Sequence, residues 1–326
     1  MFSIAGTGRA LPNRSMTLDD LVRQHGATFT EPEKCPRSRH VSGERDSQMT
    51  LAATAARRAL AGAELTPGDV DMVLHAAAVP YQPIPATSAQ LAAILGLADG
   101  QAEILDVNAT CLSFLSALDI AASAIERGRA HTILIVSSET PSRALPWTDA
   151  PQTAALFGDG AAAVVLTPGA TRIRGLRLRS YPSAAAACEL GAGGTRFDYQ
   201  NDPDSFAAHS LFRMDGPALY KTTLRHMPRL IDAVLDAAGW RMDDIDTFLA
   251  HQASPVGLDH MIRILGLRDG QLLPTIHEVG NLVAASLPYG LATADIKGRL
   301  APGSKILLAG TGAGLTIGAI ALEVGS

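Results

Sequence analysis

The sequence predicts an α/β protein assembled from two duplicated halves. Two observations carry that expectation. Short apolar runs alternate with helix-period segments along the 326 residues, the pattern of mainly parallel sheets covered on both faces. Several stretches also return in the same order. Ile-Leu-Gly-Leu-Ala-Asp-Gly-Gln (94–101) recurs as Ile-Leu-Gly-Leu-Arg-Asp-Gly-Gln (264–271), an offset of 264 − 94 = 170. The Asp-flanked apolar runs within 62–75 and 239–251 correspond, as do 131–136 and 304–309, each of the latter two leading to a Gly-rich entry into another apolar strand. A repeat of one strand–helix unit divides the chain at about 1–167 and 168–326.

In chain order, residues 2–7 form a first strand, and Leu18–His25 a short helix closed by Gly26. Residues 28–45 hold prolines and charges and read as a surface loop. Ser47–Gly62 has helical periodicity, with Leu51, Ala55 and Leu60 on the inner stripe and Arg57 and Arg58 outward. Val70–Ala77 is a strand. Pro80, Pro83 and Pro85 enforce an extended connector, and Ser88–Leu97 is the next helix, ending near Gly96. The short run 104–107 reads as a buried strand, and Leu112–Ile125, apolar or small almost all round, as a buried helix. Residues 168–215 break the periodicity and read as a loop-rich insertion.

Cys111 therefore stands on a strand-to-helix elbow. There it is either a buried structural cysteine or a nucleophile whose pKa the helix terminus lowers from about 8.5 towards roughly 3.5–7.5. The repeat bears on the choice: adding 170 to 111 gives Asn281. A pseudo-twofold brings equivalent elbows face to face, with His251, at the end of its strand, between them.

Composition narrows the classes of function. The chain is long enough for a large core, sparse in charge at 18%, and carries a net charge of −5, which gives no reason to expect nucleic acid. Cys35, Cys111 and Cys188 are odd in number and widely spaced, supporting neither a disulfide framework nor a metal site and suiting a reducing cytoplasm. No signal-like start and no apolar run near the roughly 20 residues of a membrane span is present. Gly-Thr-Gly at 6–8 and Gly-Thr-Gly-Ala-Gly at 310–314 fail the dinucleotide pattern, since Leu315 takes the third glycine position of the second. Cys, His and Asn follow this order in papain-like proteases too, but that family's local signature is missing around Cys111.

Asp-Val-Asn-Ala-Thr-Cys (106–111), Ser-Ser-Glu-Thr (137–140), Phe-Gly-Asp-Gly-Ala-Ala-Ala (157–163), Arg-Met-Asp-Gly (213–216), His-Gln-Ala (251–253), Gly-Asn (280–281) and Gly-Thr-Gly-Ala-Gly (310–314) occur together in order. This set resembles the thiolase superfamily, specifically its β-ketoacyl-acyl-carrier-protein synthase III group. The resemblance covers nearly the whole chain. It implies a thiolase-like five-layered αβαβα fold, a homodimer, and no cofactor beyond acyl-CoA or acyl-ACP and malonyl-ACP as substrates. It also implies the roles of the site: Cys111 holds the acyl group, while His251 and Asn281 stabilise the enolate formed when a malonyl thioester loses carbon dioxide. Backbone N–H groups of Cys111 and Gly312 would form the oxyanion hole, Phe157 and the partner-reaching Ile84 would line the substrate pocket, and Lys221 and Arg263 would meet the acyl carrier protein.

There are departures. Members primed by acyl-CoA carry a Trp within the stretch corresponding to 27–40, which has none here, and an Arg where Pro151 stands, although Trp147 is near Pro151 in sequence. Val256 replaces a basic residue often used against the carrier. Two rivals follow: an acyltransferase on the same fold that moves acyl groups without decarboxylation, and a silent subunit of a heteromeric synthase.

Overall fold

The computed structural model describes residues 1–325. Its first half runs β1 (Phe2–Ala10), β2 (Ser15–Thr17), α1 (Leu18–His25), β3 (Ser38–His40), α2 (Gln48–Gly62), β4 (Met72–Ala76), α3 (Thr87–Leu95), β5 (Glu103–Val107), α4 (Ser113–Glu126), β6 (Ile133–Glu139), α5 (Pro151–Ala154) and β7 (Gly160–Pro168). The expected boundaries follow from local chemistry. Thr17 and Asp20 form a capping box that starts α1, and Gly26, at φ 62°, ends it. Ser47 caps α2, whose Ala52, Ala55, Ala56 and Ala59 are fully buried.

The second half runs β8 (Arg172–Ser180), β9 (Cys188–Glu189), α6 (Pro203–Ala208), β10 (Arg213–Met214), α7 (Gly216–Ala238), β11 (Thr247–Ala250), α8 (Pro255–Leu265), α9 (Ile276–Val279), α10 (Ser286–Ile296), β12 (Lys305–Gly312) and β13 (Thr316–Glu323). The two main sheets have the same plan. One is ordered β1-β7-β6-β4-β5, the other β8-β13-β12-β11, and Leu272 bridges Phe248 of β11 in parallel where β5 flanks β4. Helix α2 covers the outer face of the first sheet and α7 that of the second, while α4 and α10 are packed between the sheets. The result is five layers, αβαβα.

Four expectations need correction. The sheets are mixed rather than mainly parallel: β4 is parallel to β5 and β6, but β7 and β13 return antiparallel. The turn at 313–315 is too short for the dozen or more residues of a parallel crossover. Residues 168–215 are not wholly loop, since β8 pairs along β13. Its Arg-rich stretch, with Arg172, Arg174, Arg177 and Arg179 half-buried or exposed between apolar neighbours, is a strand pattern interrupted at Gly175. The stretch 28–45 is not only surface, because it carries β3 and the buried Cys35 and Arg39. Strand β5, expected to be buried, is the edge of its sheet, with Ile104 and Leu105 exposed in the single chain.

Candidate active site

The elbow is built by side chains folding back on backbone. Asn108 Oδ1 accepts from the Thr110 N–H at 2.9 Å, and Ser113 Oγ accepts from the Ala109 N–H at 2.9 Å. Between them Thr110 adopts φ 52°, a left-handed conformation rare for a β-branched residue. Cys111 follows, one residue before the N-cap of the buried α4.

The thiol does not have the lowered pKa that its elbow position suggested. Burial pushes it up to about 12, with Cys188 and Glu139 pushing the same way and the N–H groups of Ala313 and Cys111 opposing. Desolvation of a thiolate outweighs two hydrogen bonds here. The backbone N–H groups that lie against the sulfur are those of Cys111 itself and of Ala313, the residue after Gly312.

Gly312 is also needed for packing. A Cβ there would lie 2.5 Å from Thr110 Oγ1 and 2.9 Å from the Ala109 carbonyl oxygen; at Gly310 it would lie 2.5 Å from His251 Cβ and 3.2 Å from Leu112 Cδ2. The end of β12 thus passes between His251 and the Cys111 elbow, and only glycine permits that approach.

His251 continues β11, its N–H donating to the Ala309 carbonyl at 2.8 Å. Its ring is buried, Nδ1 has no partner, and burial lowers its pKa to about 4, so the imidazole is neutral at pH 7. Gln252 fixes the next turn: its Nε2 donates to the Leu273 carbonyl, and its Oε1 accepts from Thr275 and Ile276, each at 2.9 Å.

Asn281 follows Gly280, at φ 75°. Its backbone exchanges hydrogen bonds with Leu156 and Gly158, and its Oδ1 accepts from Val283 at 2.8 Å while Nδ2 donates to the Ala253 carbonyl at 3.3 Å. The carboxamide therefore links its own turn to the segment just beyond His251.

His251, Asn281, Phe157, Ala253 and Thr311 line one cavity of about 200 Å³ that extends between α7 and α8. Phe157 is held edge-on to Phe212, with ring centroids 5.1 Å apart. Cys111 is not on the wall of this cavity; the 310–313 segment, which touches both the elbow and His251, joins the two. Ile84 is not in a pocket of its own chain, being 84% exposed on the Pro-rich connector. Lys221 and Arg263 are exposed on α7 and α8, the helices that wall the cavity. Trp147 stacks on His25 at 4.1 Å and 8°, and Pro151 opens α5.

One group escaped the sequence reading except as part of a motif. Glu139, at the end of the fully buried β6, accepts from the N–H groups of Ala78, Val79 and Ala284, and burial raises its pKa to about 8. A carboxylate closing an otherwise uncharged buried strand was the available signal.

A thiol from one half, with an imidazole and a carboxamide from the other, around the end of a shared strand in an αβαβα fold, define a thiolase-type acyl-transferring enzyme. Comparison with known proteins gives the particular family. The family model for 3-oxoacyl-(acyl-carrier-protein) synthase III matches residues 105–182, and that for its C-terminal region residues 235–324. A beta-ketoacyl-(acyl-carrier-protein) synthase III of Streptomyces coelicolor is 36% identical over 98% of this chain and 96% of its own length; one from Neisseria gonorrhoeae is 32% identical over 98% of each. The crystal structure of the corresponding synthase of Pseudomonas aeruginosa superposes with a TM-score of 0.87 at 32% identity, covering 100% of this chain and 98% of the other. The Aquifex aeolicus synthase gives 0.87 at 29% identity, covering 99% and 100%. The chain belongs to the 3-oxoacyl-(acyl-carrier-protein) synthase III family, and it is a condensing acyltransferase.

Proposed function

We propose that the enzyme works in two half-reactions centred on Cys111. In the first, the Cys111 sulfur bonds to the carbonyl carbon of an acyl thioester as the bond from that carbon to the donor's sulfur breaks, and the donor leaves as a thiol carrying the proton that Cys111 gives up. The N–H groups of Cys111 and Ala313 hold the oxyanion; losing one such donor costs about 2.7–4 kcal/mol of barrier in other enzymes. In the second, a malonyl thioester on a carrier protein places its carbonyl at His251 and Asn281. Carbon dioxide leaves, the two side chains donate hydrogen bonds to the enolate, and its carbon attacks acyl-Cys111 to give a β-ketoacyl thioester and free thiol. The observation that carries this reading is that His251 and Asn281 line one cavity beside the Cys111 elbow. A neutral imidazole suits the second step, because it donates a hydrogen bond without bringing a buried charge.

The donor is a carrier protein rather than free CoA. Pro151 offers no charge to an adenine, and His25 occupies one face of Trp147. Lys221, Arg225 and Arg229, spaced four apart along the exposed side of α7, add to Arg263 a basic surface near the cavity for an acidic carrier. The protein acts as a homodimer joined along β5, with Ile84 reaching the partner, and the two halves divide at 167/168. No helix among the described residues is long and apolar enough to cross a membrane, in keeping with a cytoplasmic enzyme.

The test is product analysis with labelled malonyl-carrier and matched acyl-carrier and acyl-CoA donors. Equimolar carbon dioxide and β-ketoacyl product, formed faster from the carrier-bound donor, is the expected result. Acyl transfer without carbon dioxide would replace condensation with the simpler reaction, and a clear preference for CoA would refute the donor assignment.

A further inference from the structure

Hydrogen bonds lead from Glu139 into both halves of the site. Its Oε1 accepts from the Ala78 N–H at 2.6 Å. The Ala78 carbonyl in turn accepts from Asn108 Nδ2 at 3.0 Å, and Asn108 Oδ1 accepts from the N–H of Thr110, the residue before Cys111. Ser113 meets the same turn from beyond Cys111, its Oγ 3.1 Å from the Ala77 carbonyl oxygen. On the other side the Glu139 carboxyl accepts from the Ala284 N–H, in the turn 283–285 that packs on β6. The neighbouring Val283 N–H donates to Asn281 Oδ1 at 2.8 Å. Gln48 locks β6 to the 78–79 turn, its Nε2 donating to the Val79 carbonyl at 2.8 Å and to the Ser138 carbonyl at 2.9 Å.

Both routes end at backbone that has to be held. Thr110 and Val283 are each at φ 52°, a left-handed conformation that a β-branched residue keeps only where its surroundings impose it. Each stands beside a reacting side chain, Thr110 one residue before Cys111 and Val283 two after Asn281. Core filling does not account for a carboxyl at this place. Glu139 is 2% exposed, and no lysine or arginine pairs with it among the described residues. Leucine would occupy a similar space without the cost of burying a polar group. What leucine lacks is an acceptor for N–H groups arriving from two separate turns, which would then be left unpaired.

We propose that Glu139 is a positioning residue for both half-reactions. Through Ala78 it fixes the elbow that aims the Cys111 sulfur, and through Ala284 it fixes the turn that presents the Asn281 carboxamide. One buried side chain thus keeps in register two reacting centres contributed by different halves of the chain, a role that rests on the two-step condensation reading above. Glu139 acts through these turns and not on the substrate. Misplacing a reacting group by about 1 Å can cost roughly a hundredfold in rate, so its loss is recorded in kcat more than in KM.

The experiment uses the full-length enzyme and follows two rates separately: acylation of Cys111 by an acyl-carrier thioester, and carbon dioxide release from a malonyl-carrier thioester by enzyme already acylated. Glu139→Leu should lower kcat at least about tenfold in both, with KM for each thioester within about threefold of its starting value. Glu139→Gln keeps the volume and one acceptor oxygen, should lose less, and carries the test should the leucine variant not fold. Double-mutant cycles separate positioning from general destabilisation. The Glu139→Gln loss in acylation should vanish in an Asn108→Ala background and persist in Asn281→Ala, while its loss in carbon dioxide release should vanish in Asn281→Ala. Losses that simply multiply in every background would overturn the proposal and leave condensation standing. So would both half-reactions staying within about threefold of the unmodified enzyme in both Glu139 variants. An unmodified enzyme that releases no carbon dioxide would overturn both readings.

Discussion

At the scale of single residues, burial governs the chemistry more than charge does. Desolvation raises the Cys111 thiol to about 12, raises Glu139 to about 8 and lowers His251 to about 4, so all three are uncharged at neutral pH. Cys111, His251 and Asn281 were legible in the sequence as candidates, because the repeat aligns two of them and their side chains carry recognisable chemistry. Their protonation was not, because it depends on which distant segments close over them. Glu139 makes this testable. Between its ordinary 4.5 and about 8, the unfolded chain has released a proton that the folded protein keeps, so Glu139's own contribution to stability falls as pH rises through that window, by up to about 1.4 kcal/mol per pH unit. Glu139→Gln should remove this slope. Denaturant unfolding of both proteins at pH 5, 6.5 and 8 checks it, and parallel stability curves would refute the assignment.

At the scale of elements, glycine determines how closely the halves approach. Gly310 and Gly312 let β12 run between His251 and the elbow, and at Gly158 a Cβ would come within 2.1 Å of the Val279 carbonyl oxygen. Gly310→Ala should therefore displace His251, cutting carbon dioxide release at least tenfold and destabilising the fold by about 1–3 kcal/mol, the usual range for overpacking. Thermal unfolding and a decarboxylation assay read the two effects; an alanine variant with full activity would show that the approach is looser than the geometry implies. Helices with their own caps, such as α1 and α2, were legible to within a residue or two. Strand β8 was not, because its Arg-rich alternation is broken at Gly175 and its partner β13 lies far along the chain. The antiparallel returns were missed because apolar runs give composition but not direction.

At the scale of the whole molecule, the unpaired edge matters most. Strand β5 presents an open backbone ladder with Ile104 and Leu105 37% and 36% exposed, and Ile84 is exposed nearby in sequence on the connector. A free apolar edge of this kind invites pairing with another chain, and a sequence read alone cannot tell a strand buried by its own fold from one buried by a second copy. Light scattering should give about twice 34.0 kDa, and Leu105→Lys should yield monomer with at least tenfold lower activity. An active monomer in the unmodified protein would exclude the assembly. The central claim, that Cys111 alone carries the acyl group while His251 and Asn281 act afterwards, is tested most directly by peptide mass spectrometry after exposure to an acyl-carrier thioester. The account predicts one acyl increment on the Cys111 peptide, absent in Cys111→Ala and retained in His251→Ala and Asn281→Ala. An adduct on Cys35 or Cys188, or loss of acylation in both of the latter variants, would contradict it.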